Sequence, residues 1–205
     1  TAHIPIITAC TLGATLAGVG RFGESRKYLD LCRISYQNTT IASRKSAYLV
    51  AGLHAALENG ELGQEADLLI EQFHQLGFNI WNAPFHIRYF YILEAHVRLR
   101  QCLTGSDKRR EFKRALRNLR LAVNQPAFAG HVLLLDAAQA WLNKDLKTCQ
   151  RKLAKAEDWA RQASNPWIRI EVHRYRAWIL QHQGRDESAS LEVQIALRIA
   201  SSNGW

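Results

Sequence analysis

The chain lacks methionine altogether and has little proline and cysteine, with four residues of each among its 205. The missing methionine predicts that the sequence is a segment of a longer protein, unless modified methionines have been left out of it. No uninterrupted apolar run approaches the roughly 18 residues of a membrane-spanning helix, so we expect no membrane partner. The apolar residues 1–20 contain Pro5 and are predicted to form a buried helix rather than a targeting segment.

The chain also lacks the common catalytic and metal-binding motifs. Its cysteines, Cys10, Cys32, Cys102 and Cys149, form no CxxC pair, a pattern typical of buried thiols in a reducing cytoplasm. There is no GxxxxGK phosphate loop, HExxH zinc motif or GxSxG nucleophile turn, and the eight histidines are scattered. We therefore predict no catalytic residue, no metal site and no cofactor, and expect this segment not to be an enzyme. A catalytic site assembled from residues distant in sequence is the remaining alternative.

Positive charge exceeds negative charge, since 27 lysines and arginines against 18 acidic residues give a net charge of +9. The most basic stretch is residues 107–120, where a helix would leave Phe112, Ala115, Leu116 and Leu119 for the core. Its opposite face would carry four cations: Arg110, Lys113, Arg114 and Arg117. This face is either a patch for phosphates or an acidic partner, or an ordinary solvated surface. Because no aromatic residues for base stacking are interleaved, nucleic acid is the less favoured partner.

Turn residues and prolines mark a repeat of about 40 residues. Five predicted turns are separated by 40, 45, 39 and 40 residues: Gly20, Gly60, Gly105, Lys144 and Gly184. The prolines Pro84, Pro126 and Pro166 are separated by 42 and 40 residues. Proline favours the first turn of a helix, so the two patterns together predict about five helix–turn–helix units.

The last segment, residues 187–201, could form a strand or a helix. From Leu191 to Ala200 apolar and polar residues nearly alternate, as in a half-buried strand. The corresponding segments of the other units, however, have apolar residues at helical spacing. We therefore predict a helix with two apolar stripes, the second formed by Leu191, Ile195 and Ile199.

Small residues recur shortly after the turns, at Ser25, Ala66, Cys149 and Ala189, with Phe112 or Ala115 in this place in the third unit. Twelve residues earlier, the preceding helices carry Gly13, His54, Ala137 and Ala177. Small side chains that face one another allow two antiparallel helices to approach closely.

These features, with "GRFGES" at 20–25 and "GRDESA" at 184–189, resemble the tetratricopeptide repeat family. The long units are similar to the repeat regions of bacterial signal-transduction ATPases and multidomain transcriptional regulators. The resemblance spans residues 1–205 and implies a single all-α domain, a right-handed α-α superhelix of about five units. The period near 40 exceeds the usual 34 residues of the family.

The resemblance also implies where a ligand or partner would bind, because the first helix of each unit lines the concave side in this family. The implied binding residues are His131, Trp141, Glu171, Arg174, Trp178 and Gln181, together with Arg88, Tyr89 and Tyr91. In the second unit the matching positions are Tyr48, Ala51, Ala55 and Glu58. Alternatively, Trp141 and Trp178 cover the core between repeats. The family's lysine–asparagine clamp for C-terminal carboxylates has no match.

The predicted function is a noncatalytic protein-interaction or effector-sensing scaffold, the repeat domain of a larger cytoplasmic regulatory protein in signal transduction or transcription regulation. Its expected partner is a protein or peptide, which includes flanking domains of the same chain. The alternative is a nucleic-acid-binding helical repeat that uses the basic helix at residues 107–120.

Overall fold

The structure, a computed structural model, describes residues 6–122 and 128–204. Those residues form ten α-helices and no strand, which confirms the predicted all-α class. The helices are α1 (Ile6–Gly18), α2 (Phe22–Gln37), α3 (Ala42–Asn59), α4 (Gln64–Gln75), α5 (Phe85–Leu103), α6 (Arg109–Ala122), α7 (Ala129–Leu142), α8 (Leu146–Gln162), α9 (Pro166–His182) and α10 (Asp186–Ser202). Within the described ranges, each helix is too short or too polar to cross a membrane.

The helices belong to two compact units, Thr1–Ala122 and Val123–Trp205. In the first unit α1 packs against α2, α3 against α4 and α5 against α6, and α3 also contacts α1 and α5. In the second unit α7 packs against α8 and α9 against α10, and α7 also contacts α9. That residues 1–205 form one superhelical domain stays a prediction.

The five predicted turn residues all lie between helices and share a left-handed backbone. Their φ angles are 76° at Gly20, 75° at Gly60, 94° at Gly105, 64° at Lys144 and 69° at Gly184. A Cβ atom disfavours this conformation, so glycine is the residue expected there, and Lys144 is the exception among the five. The predicted turn positions are therefore correct, and the backbone preference of glycine explains four of the five.

Proline also marks helix starts where the structure describes it. Pro166 is the first residue of α9, and the side chain of the preceding Asn165 accepts a hydrogen bond from the Ile168 N–H at 3.1 Å. Pro84 directly precedes α5. Pro5 and Pro126 lie outside the described residues.

The predicted approach of paired helices through small residues is seen between α1 and α2. The buried Ser25 hydroxyl of α2 donates to the Gly13 carbonyl oxygen of α1 at 2.7 Å. The other small positions after the turns are also buried: Ala66, Phe112, Ala115, Cys149 and Ala189. In the third unit both candidate residues face the core, because they lie three positions apart and so share one face of α6.

Residues 187–201 lie within a helix, α10, which confirms the prediction of helix over strand. Ala189, Ala196 and Ile199 are its buried residues. Leu191 and Ile195 of the predicted second stripe remain 61% and 38% exposed. Ile199 of that stripe is buried, whereas Val193 and Leu197 are exposed as well, so part of the apolar surface of α10 remains uncovered among the described residues.

Candidate binding groove

A groove of about 520 Å³ lies along α1, α3 and the first turns of α5 in the first unit. Its lining consists of Ile7, Cys10, Thr11, Ala14, Thr15, Ser43, Ala47, Val50, Ala51, His54 and Tyr89. On α3, positions 43, 47, 50 and 54 recur at helical spacing and form one face. This face is open because α1 and α5 flank α3, whereas α2 and α4 pack on its other side.

The lining of the groove is mostly apolar and carries no Asp, Glu, Lys or Arg among the described residues. Two threonine hydroxyls of α1 donate hydrogen bonds to carbonyl oxygens of their own helix. Thr11 donates to the Ile7 carbonyl oxygen and Thr15 to the Thr11 carbonyl oxygen, both at 2.9 Å. The groove therefore offers few free hydrogen-bond donors along its length.

One end of the groove is polar but uncharged. The His54 and Tyr89 rings are 5.8 Å apart between centroids and inclined by 72°. Burial lowers the pKa of His54 to about 4, so the imidazole is neutral at neutral pH. Burial and the neighbouring Glu58 carboxylate raise the pKa of Tyr89, so its phenol stays protonated. Glu58 Oε1 lies 3.8 Å from His54 Nε2, which is too far for a hydrogen bond.

Two thiols pack together at the groove, which Cys10 lines. Cys10 and Cys32 are 3% and 1% exposed, form a side-chain hydrogen bond and pack with Ala9 and Ala51. This hydrogen bond and burial raise the pKa of Cys10, so its sulfur stays protonated. The close-packed floor gives the groove a preformed shape.

Of the three binding residues predicted on α5, Tyr89 lines the groove, whereas Arg88 and Tyr91 are buried. Arg88 donates to three backbone carbonyl oxygens: Ala83 at 2.6 Å, Trp81 at 3.0 Å and Ala122 at 3.1 Å. Its guanidinium therefore ties the loop before α5 to the end of α6. Tyr91 packs edge-on against Phe90 and Phe73. Burial leaves these two side chains little surface for a partner.

The predicted tryptophans of the second unit lie together. The Trp141 and Trp178 rings are 5.1 Å apart and inclined by 73°, and the His182 ring lies 4.2 Å from Trp178. Both tryptophans are partly exposed, and Gln181 is exposed. This cluster fits either interpretation, a binding surface or a cover over the core, so its use in binding stays a prediction.

The other residues predicted in the second unit are mostly inside. His131 is buried against Trp167, with 4.5 Å between ring centroids. Glu171 is buried and accepts a hydrogen bond from Arg174 Nη1 at 2.5 Å. Arg174 is half-exposed, so it is the member of this pair that a partner can reach.

Helix α6 separates its charged and apolar residues as predicted. Phe112, Ala115, Leu116 and Leu119 are buried in the core. The cations on the opposite face are exposed: Arg110, Lys113, Arg114 and Arg117. In residues 6–122 and 128–204, no ion pair is described for these four side chains. The face therefore presents positive charge to solvent.

A second cavity, of about 490 Å³, lies between α4, α5 and α6 and is lined by charges of both signs. Arg98 forms an ion pair with Asp67, and Lys108 Nζ lies 3.3 Å from Asp67 and 3.6 Å from Glu111. Burial opposes ionisation of Asp67, but hydrogen bonds from Gln101 and Arg98 lower its pKa. Because these charges pair with one another, the cavity has little net charge to offer an ion.

The sequence did not predict most of the residues that line the groove. The face of α3 that it predicted to be open is displaced by about one residue from the face that is open in the structure. Among the predicted positions, Ala51 lines the groove, but Tyr48 and Ala55 line a small cavity on the side of α2 and α4. Small apolar residues occur on both sides of α3, so periodicity alone does not identify the open one. The pairing of small positions placed His54 opposite Ala66 of α4, whereas His54 lines the groove and its ring contacts Tyr89 of α5.

In the described part of the chain, no three His, Cys, Asp or Glu side chains lie close enough together to hold a metal ion. Comparison with protein-family models found no match, and comparisons with curated proteins and with solved structures found none either. The relation to tetratricopeptide repeats therefore stays a prediction from the sequence pattern.

Proposed function

We propose that this chain is a noncatalytic interaction or effector-sensing module that binds in the groove of α1, α3 and α5. The observation that carries the proposal is the open apolar face of α3, Ser43, Ala47, Val50 and His54, between two flanking helices. A preformed apolar concavity with a few polar groups at one end is typical of binding sites in proteins.

The helix contacts support a stack of helix pairs similar to tetratricopeptide repeats. The first helices of successive pairs touch one another, α1 with α3 and α3 with α5, and in the second unit α7 with α9. In such a stack each pair contacts only its neighbours, and the first helices share one side. We therefore propose a right-handed superhelix of about five units whose concave side includes the groove.

The chain is further proposed to be the repeat domain of a larger cytoplasmic regulator in signal transduction or transcription regulation, as the family resemblance implies. The exposed Leu191, Ile195 and Leu197 of α10 support a neighbouring helix pair or domain packed on that helix. Analytical ultracentrifugation tests this point. A stable, monodisperse monomer at high concentration with no added partner would count against it.

The binding function is tested by affinity capture from lysate of the source cells, with and without nuclease. The wild type is compared with Val50→Asp, which places a charge in the groove. We expect partners that survive nuclease and are lost with Val50→Asp, because a buried unpaired carboxylate in the interface is unfavourable. A parallel variant, Arg174→Glu with Trp178→Ala, reports whether α9 also takes part.

The matched control is Leu68→Asp, which introduces the same charge at a half-exposed apolar position of α4, outside the groove. Both variants are checked by circular dichroism and thermal unfolding. Partners that bind Val50→Asp as well as they bind the wild type would contradict the proposal.

The second candidate function is nucleic-acid binding by α6, favoured by its four exposed cations and the net charge of +9. It is tested by fluorescence anisotropy with single-stranded and duplex oligonucleotides over a range of salt. If α6 binds phosphates, the double variant Lys113→Gln, Arg114→Gln should make the fall of log K with log salt shallower by about 2. This is close to one unit per lost phosphate contact. Arg151→Gln with Lys155→Gln on α8 is the control, because both residues are exposed. Binding that does not depend on salt would exclude this function.

A further inference from the structure

We infer that the groove of α1, α3 and α5 holds one neutral, largely apolar small molecule whose hydrogen-bonding group lies at the His54–Tyr89 end. This inference rests on the effector-sensing form of the proposed function, because it names a small-molecule occupant of the same groove. The volume of about 520 Å³ lies within the range of roughly 300–1,000 Å³ that small-molecule sites occupy.

The charge of the groove selects a neutral occupant. No acidic or basic side chain lines it among the described residues, and its histidine is neutral. A carboxylate, phosphate or ammonium group placed there would lose its hydration and meet no opposite charge. The Glu58 carboxylate, whose Oε1 lies 3.8 Å from His54 Nε2, is not part of the lining.

The sheltered hydrogen-bonding capacity of the groove lies at the His54–Tyr89 end, since Ser43, near the start of α3, is an exposed residue. The His54 side chain is 18% exposed, and its interactions are the distant Glu58 carboxylate and the ring contact with Tyr89. A neutral imidazole offers one donor and one acceptor nitrogen, so a single hydroxyl, amine or carbonyl group of a ligand can bind there.

The rest of the groove disfavours a peptide. An extended peptide would bury a backbone N–H and C=O at every residue, and the Thr11 and Thr15 donors are already used within α1. A helical peptide satisfies its own backbone, but with a diameter of about 10 Å it would rest on the rims formed by α1 and α3 rather than fill the volume between them. An apolar small molecule requires neither of these.

The floor of the groove supports this size of occupant. Ala14, Ala47 and Ala51 leave space above the helix backbones, and they pack against the hydrogen-bonded Cys10 and Cys32 in one cluster. The concavity therefore results from small side chains in a packed region rather than from missing packing.

The test uses two fluorescent probes with the same ring system: N-phenylnaphthylamine, which is neutral with one N–H donor, and its sulfonated analogue anilinonaphthalene sulfonate. We expect the neutral probe to bind with one molecule per chain and about tenfold more tightly than the anion. The net charge of +9 favours the anion everywhere else on the surface, so a preference for the neutral probe reports the groove.

Two variants locate the probe. Ala47→Phe fills the groove and is expected to weaken the neutral probe by about tenfold or more, whereas Ala154→Phe on the exposed face of α8 leaves its binding unchanged. His54→Leu keeps the groove apolar and open but removes the hydrogen-bond partner, so the expected loss is about three- to tenfold. This milder variant keeps the inference testable if Ala47→Phe fails to fold.

The outcomes separate this inference from the proposed function. Equal or tighter binding of the anion, still lost in Ala47→Phe, overturns the neutral class and leaves the groove as the binding site. If Ala47→Phe changes the affinity of neither probe while Val50→Asp still releases a protein partner, the inference of a small-molecule occupant is wrong and the proposed interaction function stands. If neither variant has any effect, both fail.

Discussion

Gly130 of α7 lies beneath the indole of Trp159 on α8, and the effect of an added methyl group there can be worked out from the structure. A Cβ atom at Gly130 would lie 2.4 Å from both Cε3 and Cζ3 of Trp159 and 3.2 Å from Ile168 Cγ1. Because carbon atoms in contact are normally about 3.5–4.0 Å apart, the ring or the helix has to move by about 1 Å. We expect Gly130→Ala to destabilise the second unit.

The magnitude follows from two opposing effects. Alanine is favoured over glycine by about 1 kcal/mol in a helix interior and by less in the first turn, where Gly130 lies. Overpacking of a core typically costs about 1–3 kcal/mol, and a rigid indole cannot relieve the contact by rotating a flexible end. The net expectation is a loss of about 1–2 kcal/mol.

Gly52→Ala in α3 is the matched control, with an expected change of opposite sign. Its Cβ would lie 3.4 Å and 3.5 Å from the two methyl carbons of Leu69, which is ordinary van der Waals contact. With the helix propensity gained and no overlap, this variant should be more stable by about 0.5–1 kcal/mol.

Urea unfolding, followed by circular dichroism and tryptophan fluorescence, measures both variants. A double-mutant cycle then removes the ring: in a Trp159→Leu background the cost of Gly130→Ala should shrink by about 1 kcal/mol or more. The reasoning is refuted if Gly130→Ala stabilises the protein as Gly52→Ala does, or if its cost is the same with and without the indole.

Three further predictions concern stability and thiol reactivity. His54 has a pKa of about 4 when folded and near 6.5 when unfolded, so the unfolded state binds the extra proton and stability falls on acidification. Between pH 7 and 5 the expected loss is on the order of 2 kcal/mol, and His54→Gln should remove it from urea titrations. Arg88→Lys should cost about 1–3 kcal/mol in the same assay, because an ammonium cannot reproduce the three carbonyl contacts of the guanidinium. A disulfide reagent in mildly alkaline buffer should modify the half-buried Cys102 before the buried Cys149, whose pKa burial raises to about 11, and Cys102→Ser should abolish the fast phase.

Local features of the sequence determined the helices and their ends. The left-handed turns at Gly20, Gly60, Gly105 and Gly184, and the first turn at Pro166, follow from backbone preferences that hold in any fold. The two faces of α6 follow from the same kind of reasoning, because a helical period of 3.6 residues separates its cations from its apolar side chains whatever lies around it.

Tertiary packing alone decided which faces remain open. Helix α5 is enclosed by several neighbours: it contacts α3 and α6, and its Phe90 stacks on Phe73 of α4 at 3.5 Å. Arg88 and Tyr91 are therefore buried although their residue types suggest a surface, and Tyr89 reaches the groove. On α3, small residues on both sides made the open face ambiguous until α2 and α4 covered one of them. Side-chain periodicity specifies the faces of a helix, but only its neighbours determine which face a ligand can reach.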